Sequence, residues 1–134
     1  HSDTRRQRQM CIRDSLSILL GTVLTIISLQ WIFIPESAAE SLNMMYLEGE
    51  GRSTQIRDFT ALFLTTAILC FISLVTKQYQ WIFSVGILYS IAAIFNVLAY
   101  LNHGAPLALS SLISEIIFCL MAFTAAFLFS NNDL

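Results

Sequence analysis

The sequence predicts an all-α protein: an integral membrane four-helix bundle of up-down topology, with a short surface helix between the first and second membrane helices. Four segments carry at most one charge each and are 18 to 25 residues long, namely 16–34, 59–76, 81–101 and 105–129. A helix of about 20 residues spans the ~30 Å hydrocarbon core of a bilayer. Because backbone groups in lipid must be hydrogen-bonded within their own segment, these segments are predicted to be helices.

The composition also indicates a membrane protein. Of the 134 residues, 56% are hydrophobic and 12% are charged, and the mean hydropathy is +0.69. Soluble domains carry roughly 25% charged residues, so this chain lacks the polar surface that water requires. The net charge of -2 is small and no helix face is basic, which argues against nucleic acid as a partner. The expected partner is the lipid bilayer.

Residues 1–15 form a polar tail that precedes the predicted transmembrane domain, 16–134. The tail holds four arginines and does not begin with Met. Its segment RQRQMCIRDS resembles a translated sequencing adapter, so two interpretations stay open: a genuine basic tail, or an artefact without biological meaning.

The first apolar segment, 16–34, carries small residues on one face. Gly21, Thr25 and Ser28 recur at helical spacing, which lets a neighbouring helix approach closely. An incidental occurrence of small residues is the alternative. Trp31 lies near the end of the segment, where an indole suits the membrane interface.

The connection 35–58 is predicted to hold the short surface helix. Pro35 suits a first helical turn, and the apolar Ala38, Leu42 and Met45 follow at helical spacing. Gly49 and Gly51 are expected to end this helix. The segment is interpreted either as a lid over the bundle or as a connector that rests on the membrane surface.

Two short polar turns set the topology. The turns at 77–80 and 102–105 are too short to cross the membrane, so consecutive helices are antiparallel, and Pro106 is expected to begin the fourth helix. Both termini and the first turn then lie on one side of the membrane, side A. The connection 35–58 and the second turn lie on the opposite side, side B.

Orientation follows from the basic residues. With the tail counted, side A has five Lys and Arg residues and side B has two. The positive-inside rule then places both termini in the cytoplasm. Without the tail the count is one against two, and the rule gives little direction.

The strongly polar residues within the membrane segments all fall in the half that faces side B, whereas the side A half is apolar apart from Ser and Thr. Glu115, in the fourth segment, is expected ~15 Å from side B, and Asn96, in the third, ~9 Å. An acid inside a membrane helix is expensive and usually has a partner or a function. Two hypotheses stay open: a polar cavity with Glu115 at its base, or a structural hydrogen bond between Glu115 and Asn96 that fixes helix register.

Three further polar residues lie at the side B mouth of the predicted bundle. Arg57 and Asp58 open the second helix, and His103 lies in the second turn. With Glu115 and Asn96 they form the candidate functional cluster. Arg57 can extend towards Glu115 along its apolar stem. Ordinary interface anchors and a solvated histidine are the alternative interpretations.

The cysteines and histidines do not predict a metal site. Cys11, Cys70 and Cys119 form no CxxC pair, and the two histidines are far apart. The cysteines are expected to be free thiols, and no metal or cofactor is predicted.

Four short motifs resemble a family of small bacterial membrane proteins called domain of unknown function 4345, which is related to the DoxX-like group. They are Pro35–Glu36, the IRDF of 56–59, the HGAP of 103–106 and the SEIIF of 114–118. The resemblance covers roughly 16–129 and implies a four-helix protein of the bacterial inner membrane. In this resemblance, Arg57 corresponds to the Arg that the family has at the start of helix two, and Glu115 corresponds to the family's acid in helix four. Where the family has a second Arg this chain has Asn96, which implies that Arg57 is the remaining counter-charge of Glu115.

Several functions are compatible with this pattern. The first is a non-enzymatic membrane protein that binds a lipid-like or apolar small molecule, or a partner helix, through a cavity around Glu115. The alternatives are a membrane-embedded oxidoreductase accessory or isomerase-type enzyme, suggested by the DoxX-like resemblance alone, and a proton-coupled carrier that uses Glu115. A carrier of four helices is expected to require a homo-oligomer or a partner membrane protein.

Overall fold

The all-α four-helix bundle is confirmed in the computed structural model, which describes residues 2–131. The helices are α1 (Ser2–Phe33), α2 (Pro35–Ser41), α3 (Glu50–Thr76), α4 (Gln80–His103) and α5 (Leu109–Asn131). Each of α1 and α4 packs against both α3 and α5. The four long helices therefore form a ring in the order α1, α3, α4, α5, and the short α2 follows the side B end of α1.

The exterior of this ring is apolar. Large hydrophobic side chains are exposed on every long helix, including Phe33 (74% exposed), Val75 (79%), Phe95 (62%) and Phe127 (63%). Soluble monomers rarely expose contiguous apolar patches of more than a few hundred Å². Within residues 2–131, the four long helices are also long and apolar enough to cross a membrane. The fold is that of a multi-pass membrane protein whose outer surface contacts lipid.

The helix boundaries differ from those predicted by hydropathy. α1 begins at Ser2, so the polar tail continues the first membrane helix, and α3 begins at Glu50, nine residues before the apolar segment. Polar residues can extend a helix into the interface and water, where hydropathy gives no signal. The expected start of the fourth helix at Pro106 is wrong, because α5 begins at Leu109.

The surface helix is confirmed but shorter than expected. α2 ends at Ser41, Asn43 has a left-handed φ of 59°, and Gly51 lies inside α3. Gly49 and Gly51 therefore do not end α2. Ala38 and Ala39 are buried, so the helix packs its apolar face on the bundle.

Gln55 holds the segment that follows α2 against the bundle. Its side chain is 4% exposed, accepts a hydrogen bond from the Leu47 amide at 3.0 Å and donates one to the Met45 carbonyl at 3.1 Å. Arg52 donates to the Leu47 carbonyl at 2.9 Å. These bonds satisfy backbone groups outside regular structure, which would otherwise need water. The segment is thus fixed to the first turns of α3.

Side chains also organise the turn between α3 and α4 on side A. Lys77 adopts a left-handed conformation and ends α3. The Ser73 hydroxyl then accepts a hydrogen bond from the Ile82 amide at 2.8 Å, which satisfies one of the free amides in the first turn of α4. Lys77 reaches Asp14 of α1 at 3.4 Å, so α1, α3 and α4 meet at this end.

Two glycines allow phenylalanine rings to lie directly on a neighbouring helix. A Cβ at Gly21 would lie 2.8 Å from the Phe71 ring, and one at Gly86 would lie 2.6 Å from the Phe123 ring. Gly21 therefore lies on the face that packs against α3, as the small-residue pattern predicted. Gly86 and Phe123 join α4 to α5 in the same way.

We expect Gly86→Leu to destabilise the bundle because the new side chain would displace the Phe123 ring. Overpacking of this kind costs about 1–3 kcal/mol. Thermal unfolding in detergent measures the effect. Ser84→Leu is the matched control, since Ser84 is exposed on the same helix and should tolerate Leu in contact with lipid. Equal melting temperatures for the two variants would contradict the close packing at Gly86.

Candidate functional site

A cavity of about 230 Å³ lies inside the bundle, in its side B half. Its wall is formed by all four long helices and by the segment after α2. Most lining side chains are aromatic or aliphatic, and the polar ones are two serines, a tyrosine and a glutamate. The lining residues are Ile27, Leu42, Phe59, Leu62, Phe63, Tyr89, Ala92, Ser111, Ser114, Glu115 and Phe118.

Glu115 places a carboxyl group in this wall. Its Oε2 atom is buried and finds no hydrogen-bond partner among residues 2–131. Because α5 begins at Leu109, Glu115 lies six residues into its helix, ~9 Å along the axis. The expected depth of ~15 Å from side B counted from Ala105, four residues before α5 begins. A carboxyl group without a full set of partners is a candidate binding group.

Asn96 lies close to Glu115 but has a structural role of its own. Its side chain approaches the Glu115 carboxyl. Its hydrogen bonds run to the backbone of Ala108: Nδ2 donates to the carbonyl at 3.1 Å, and Oδ1 accepts from the amide at 3.4 Å. Asn96 therefore ties α4 to the residue that precedes α5, and it fixes where the helix that carries Glu115 begins.

The remaining predicted residues lie outside the cavity. Arg57 pairs with its neighbour Asp58 at 3.2 Å, and their side chains are 68% and 62% exposed. His103 is exposed at the end of α4. The expected Arg57–Glu115 ion pair is not formed, because the Arg57 side chain points to the surface of the first turns of α3. Of the five predicted residues, Glu115 lines the cavity and Asn96 lies beside it.

Side chains at the inner end of the cavity close it towards side A. Tyr89 is 3% exposed, and its hydroxyl shares a 3.0 Å hydrogen bond with Thr66, which is fully buried. The Tyr89 ring meets the edge of Phe118 at a centroid distance of 5.3 Å. Helical spacing could have identified both, since Tyr89 lies seven residues before Asn96 and Phe118 three after Glu115.

Trp31 packs against Phe59, a residue of the cavity wall. Its ring stacks on Phe59 with centroids 4.9 Å apart, and the residue is fully buried. The interfacial position expected for Trp31 is therefore wrong. Its indole Nε1 has no hydrogen-bond partner in the part of the chain that the structure describes. The burial of Trp31 cannot be predicted from the sequence, because burial of an indole depends on which side of α1 meets α3.

No protein family, curated protein or solved structure matches this chain in comparisons of its sequence and its fold. The resemblance to domain of unknown function 4345 and to the DoxX-like group receives no support and stays a prediction. What the fold and the cavity define is a class: a small, multi-pass helical membrane protein with an acid in an internal cavity.

Asn96→Ala is expected to lower the free energy of unfolding by about 1–2 kcal/mol, because it removes both hydrogen bonds to Ala108. Thermal unfolding in detergent tests this. The control is Asn102→Ala, since Asn102 is an exposed residue of the same helix. If the Asn96 variant were as stable as the control, the proposed tie between α4 and α5 would be refuted.

Proposed function

We propose that this protein binds a compact apolar small molecule, taken up from the bilayer, in the cavity beside Glu115. The observation that carries the proposal is the cavity itself: an apolar wall with a small number of polar groups, which is the usual composition of a ligand site. The Glu115 carboxyl supplies a polar contact that can orient the ligand.

The size of the cavity limits what can enter. Sites for drug-sized ligands are usually about 300–1,000 Å³, so 230 Å³ suits a small ring system or the end of a longer amphiphile. One turn of a helix, about 10 Å wide and 5.4 Å long, fills roughly 420 Å³. The cavity therefore favours a small molecule over a partner helix.

Ser114 indicates how a ligand could arrive. It lines the cavity and is also exposed on the outer surface of α5. We infer that the cavity opens to the exterior of the bundle next to Ser114, five residues into α5. This opening supports entry from the lipid phase.

The enzyme and carrier alternatives receive less support. General acid–base catalysis needs positioned groups that exchange protons with a substrate. Among the described residues of the cavity wall, the ionisable ones are Glu115 and Tyr89, and the Tyr89 hydroxyl is engaged by Thr66. Towards side A, the fully buried side chains include the apolar Leu24, Ile82 and Val85 and the hydroxyl-bearing Thr66 and Ser73.

Ala92→Phe tests the binding function by filling the cavity. A compact photoreactive probe, trifluoromethyl phenyldiazirine, is activated with the purified protein in lipid bicelles, and labelled residues are located by mass spectrometry. Phe63 lines the cavity and is 7% exposed, so its labelling reports entry. We expect labelling of Phe63 in the native chain and its loss in Ala92→Phe. Ile91→Phe, on the lipid-facing side of α4, should leave it unchanged.

Absence of Phe63 labelling in the native chain, or equal labelling in Ala92→Phe, would refute the proposed binding. Labelling of exposed residues such as Phe127 serves as the internal standard, since lipid delivers the probe to them in every variant.

We further propose that the protein resides in a bacterial inner membrane with both termini in the cytoplasm. The support is the excess of Lys and Arg on side A, where Lys77 meets Asp14.

Cysteine labelling tests this orientation in intact bacterial cells, with the three native cysteines replaced by alanine. A membrane-impermeant maleimide is expected to label His103→Cys from outside and Lys77→Cys only after permeabilisation. Both substituted residues are exposed, at opposite ends of the bundle. The reverse pattern would place the termini outside.

A further inference from the structure

We propose that the ligand of this cavity is an organic monocation, a substituted ammonium group on a compact apolar body, with Glu115 as its counter-ion. This inference rests on the binding function proposed above and specifies the charge of the ligand. It follows from the charges and the ring systems that surround the Glu115 carboxyl group.

The protein supplies the carboxyl group with no cation of its own. Among the described residues that line the cavity there is no Lys, Arg or His. Arg57 is paired with Asp58 at the surface, and the Arg52 guanidinium lies 4.3 Å over the centre of the Tyr46 ring. An uncompensated carboxylate in an apolar site is costly, and a bound cation would remove most of this cost.

The surrounding rings favour the same kind of ligand. Phe59, Phe63, Tyr89 and Phe118 all line the cavity. The faces and edges of such rings meet the apolar body of an amine, and a ring face also attracts a cation by about 0.5–2 kcal/mol. Aromatic rings that surround a cation are a common solution for binding substituted ammonium groups, and the Glu115 carboxylate would add a counter-ion.

The remaining polar group near Glu115 fits this assignment. The Asn96 amide bonds to Ala108 and also approaches the Glu115 carboxyl, whereas Oε2 of Glu115 is buried without a partner within residues 2–131. An acceptor is thus left open at the cavity wall, where the donors of the lining are the hydroxyls of Ser111, Ser114 and Tyr89. A carboxylate or phosphate ligand would lie against the Glu115 carboxyl group without a cation among the described lining residues to offset the repulsion.

Two probes of equal shape and different charge separate this inference from the general binding function. Benzyltrimethylammonium carries a cation, and neopentylbenzene has carbon in place of the nitrogen. Each competes with the photoreactive phenyldiazirine for labelling of Phe63 in the full chain in bicelles. We expect the cation to compete at a concentration at least about tenfold lower than the neutral probe, after correction for partition into lipid.

The variants assign this preference to one carboxyl group. Glu115→Gln should abolish the preference for the cation and keep competition by neopentylbenzene, which shows that the cavity remains folded. Glu115→Asp should retain part of the preference. Glu48→Gln, which neutralises an exposed side B acid, should have no effect.

Each other outcome has a distinct meaning. Equal competition by the two probes in the native chain would overturn the cation inference and leave the binding function intact. This is the result expected if the Glu115 carboxyl group is protonated and therefore neutral. A cation preference that persists in Glu115→Gln would also overturn it. Failure of both probes to compete would overturn the cation inference together with the binding function on which it rests.

Discussion

The requirement that polar groups find partners inside a low-dielectric membrane determines most of this structure. Backbone groups meet it within helices. Hydroxyl groups meet it by bonding to carbonyls of their own helix, as Thr25 does with Gly21 at 2.7 Å and Ser28 with Thr25 at 2.8 Å. Asn96 meets it by holding the turn before α5, and Gln55 by holding the segment after α2. Four buried side-chain atoms lack a partner in the described part of the chain: Ser17 Oγ, Trp31 Nε1, Thr60 Oγ1 and Glu115 Oε2. Of these residues, Glu115 lines the cavity, where something other than the protein can meet the requirement.

The two halves of the bundle solve the packing problem differently. Towards side A, helices approach closely where Phe71 lies on Gly21 and Phe123 on Gly86, and the Ser73 hydroxyl joins the end of α3 to the start of α4. Towards side B, phenylalanine and tyrosine rings surround an open space of about 230 Å³. Because empty space inside a protein forfeits dispersion contacts, the loosely packed half depends on the well-packed half to hold the helices in place. The side A half of the four helices thus contributes close packing, and the side B half contains the cavity that is proposed to bind a ligand.

The sequence predicted the fold well and the site in part, for physical reasons that differ. Segment length and hydropathy suffice for membrane helices, since the bilayer imposes both. They do not locate helix ends in water, which is why α1 and α3 extend beyond their apolar segments and α5 begins at Leu109 instead of Pro106. Glu115 was identified because a carboxyl group is conspicuous in an apolar segment. The pairing with Arg57 could not be judged from depth alone, because contact between helices also depends on the direction in which each residue faces around its helix axis. The stacking of Trp31 on Phe59 could not be predicted for the same reason, because it also depends on the direction in which each residue faces around its helix axis.

The position of the cavity opening has a consequence for how tightly the site needs to bind. The entry route proposed beside Ser114, which lines the cavity and is exposed, would expose the site to the ligand at its concentration in the bilayer. Occupancy depends on the ratio of the local ligand concentration to Kd. The apolar body proposed for the ligand favours its accumulation at or in the bilayer, and the membrane therefore acts as a concentrating solvent for the site. A cavity with few contacts and weak intrinsic affinity can be filled under these conditions, and it can release its ligand rapidly when the ligand content of the membrane falls.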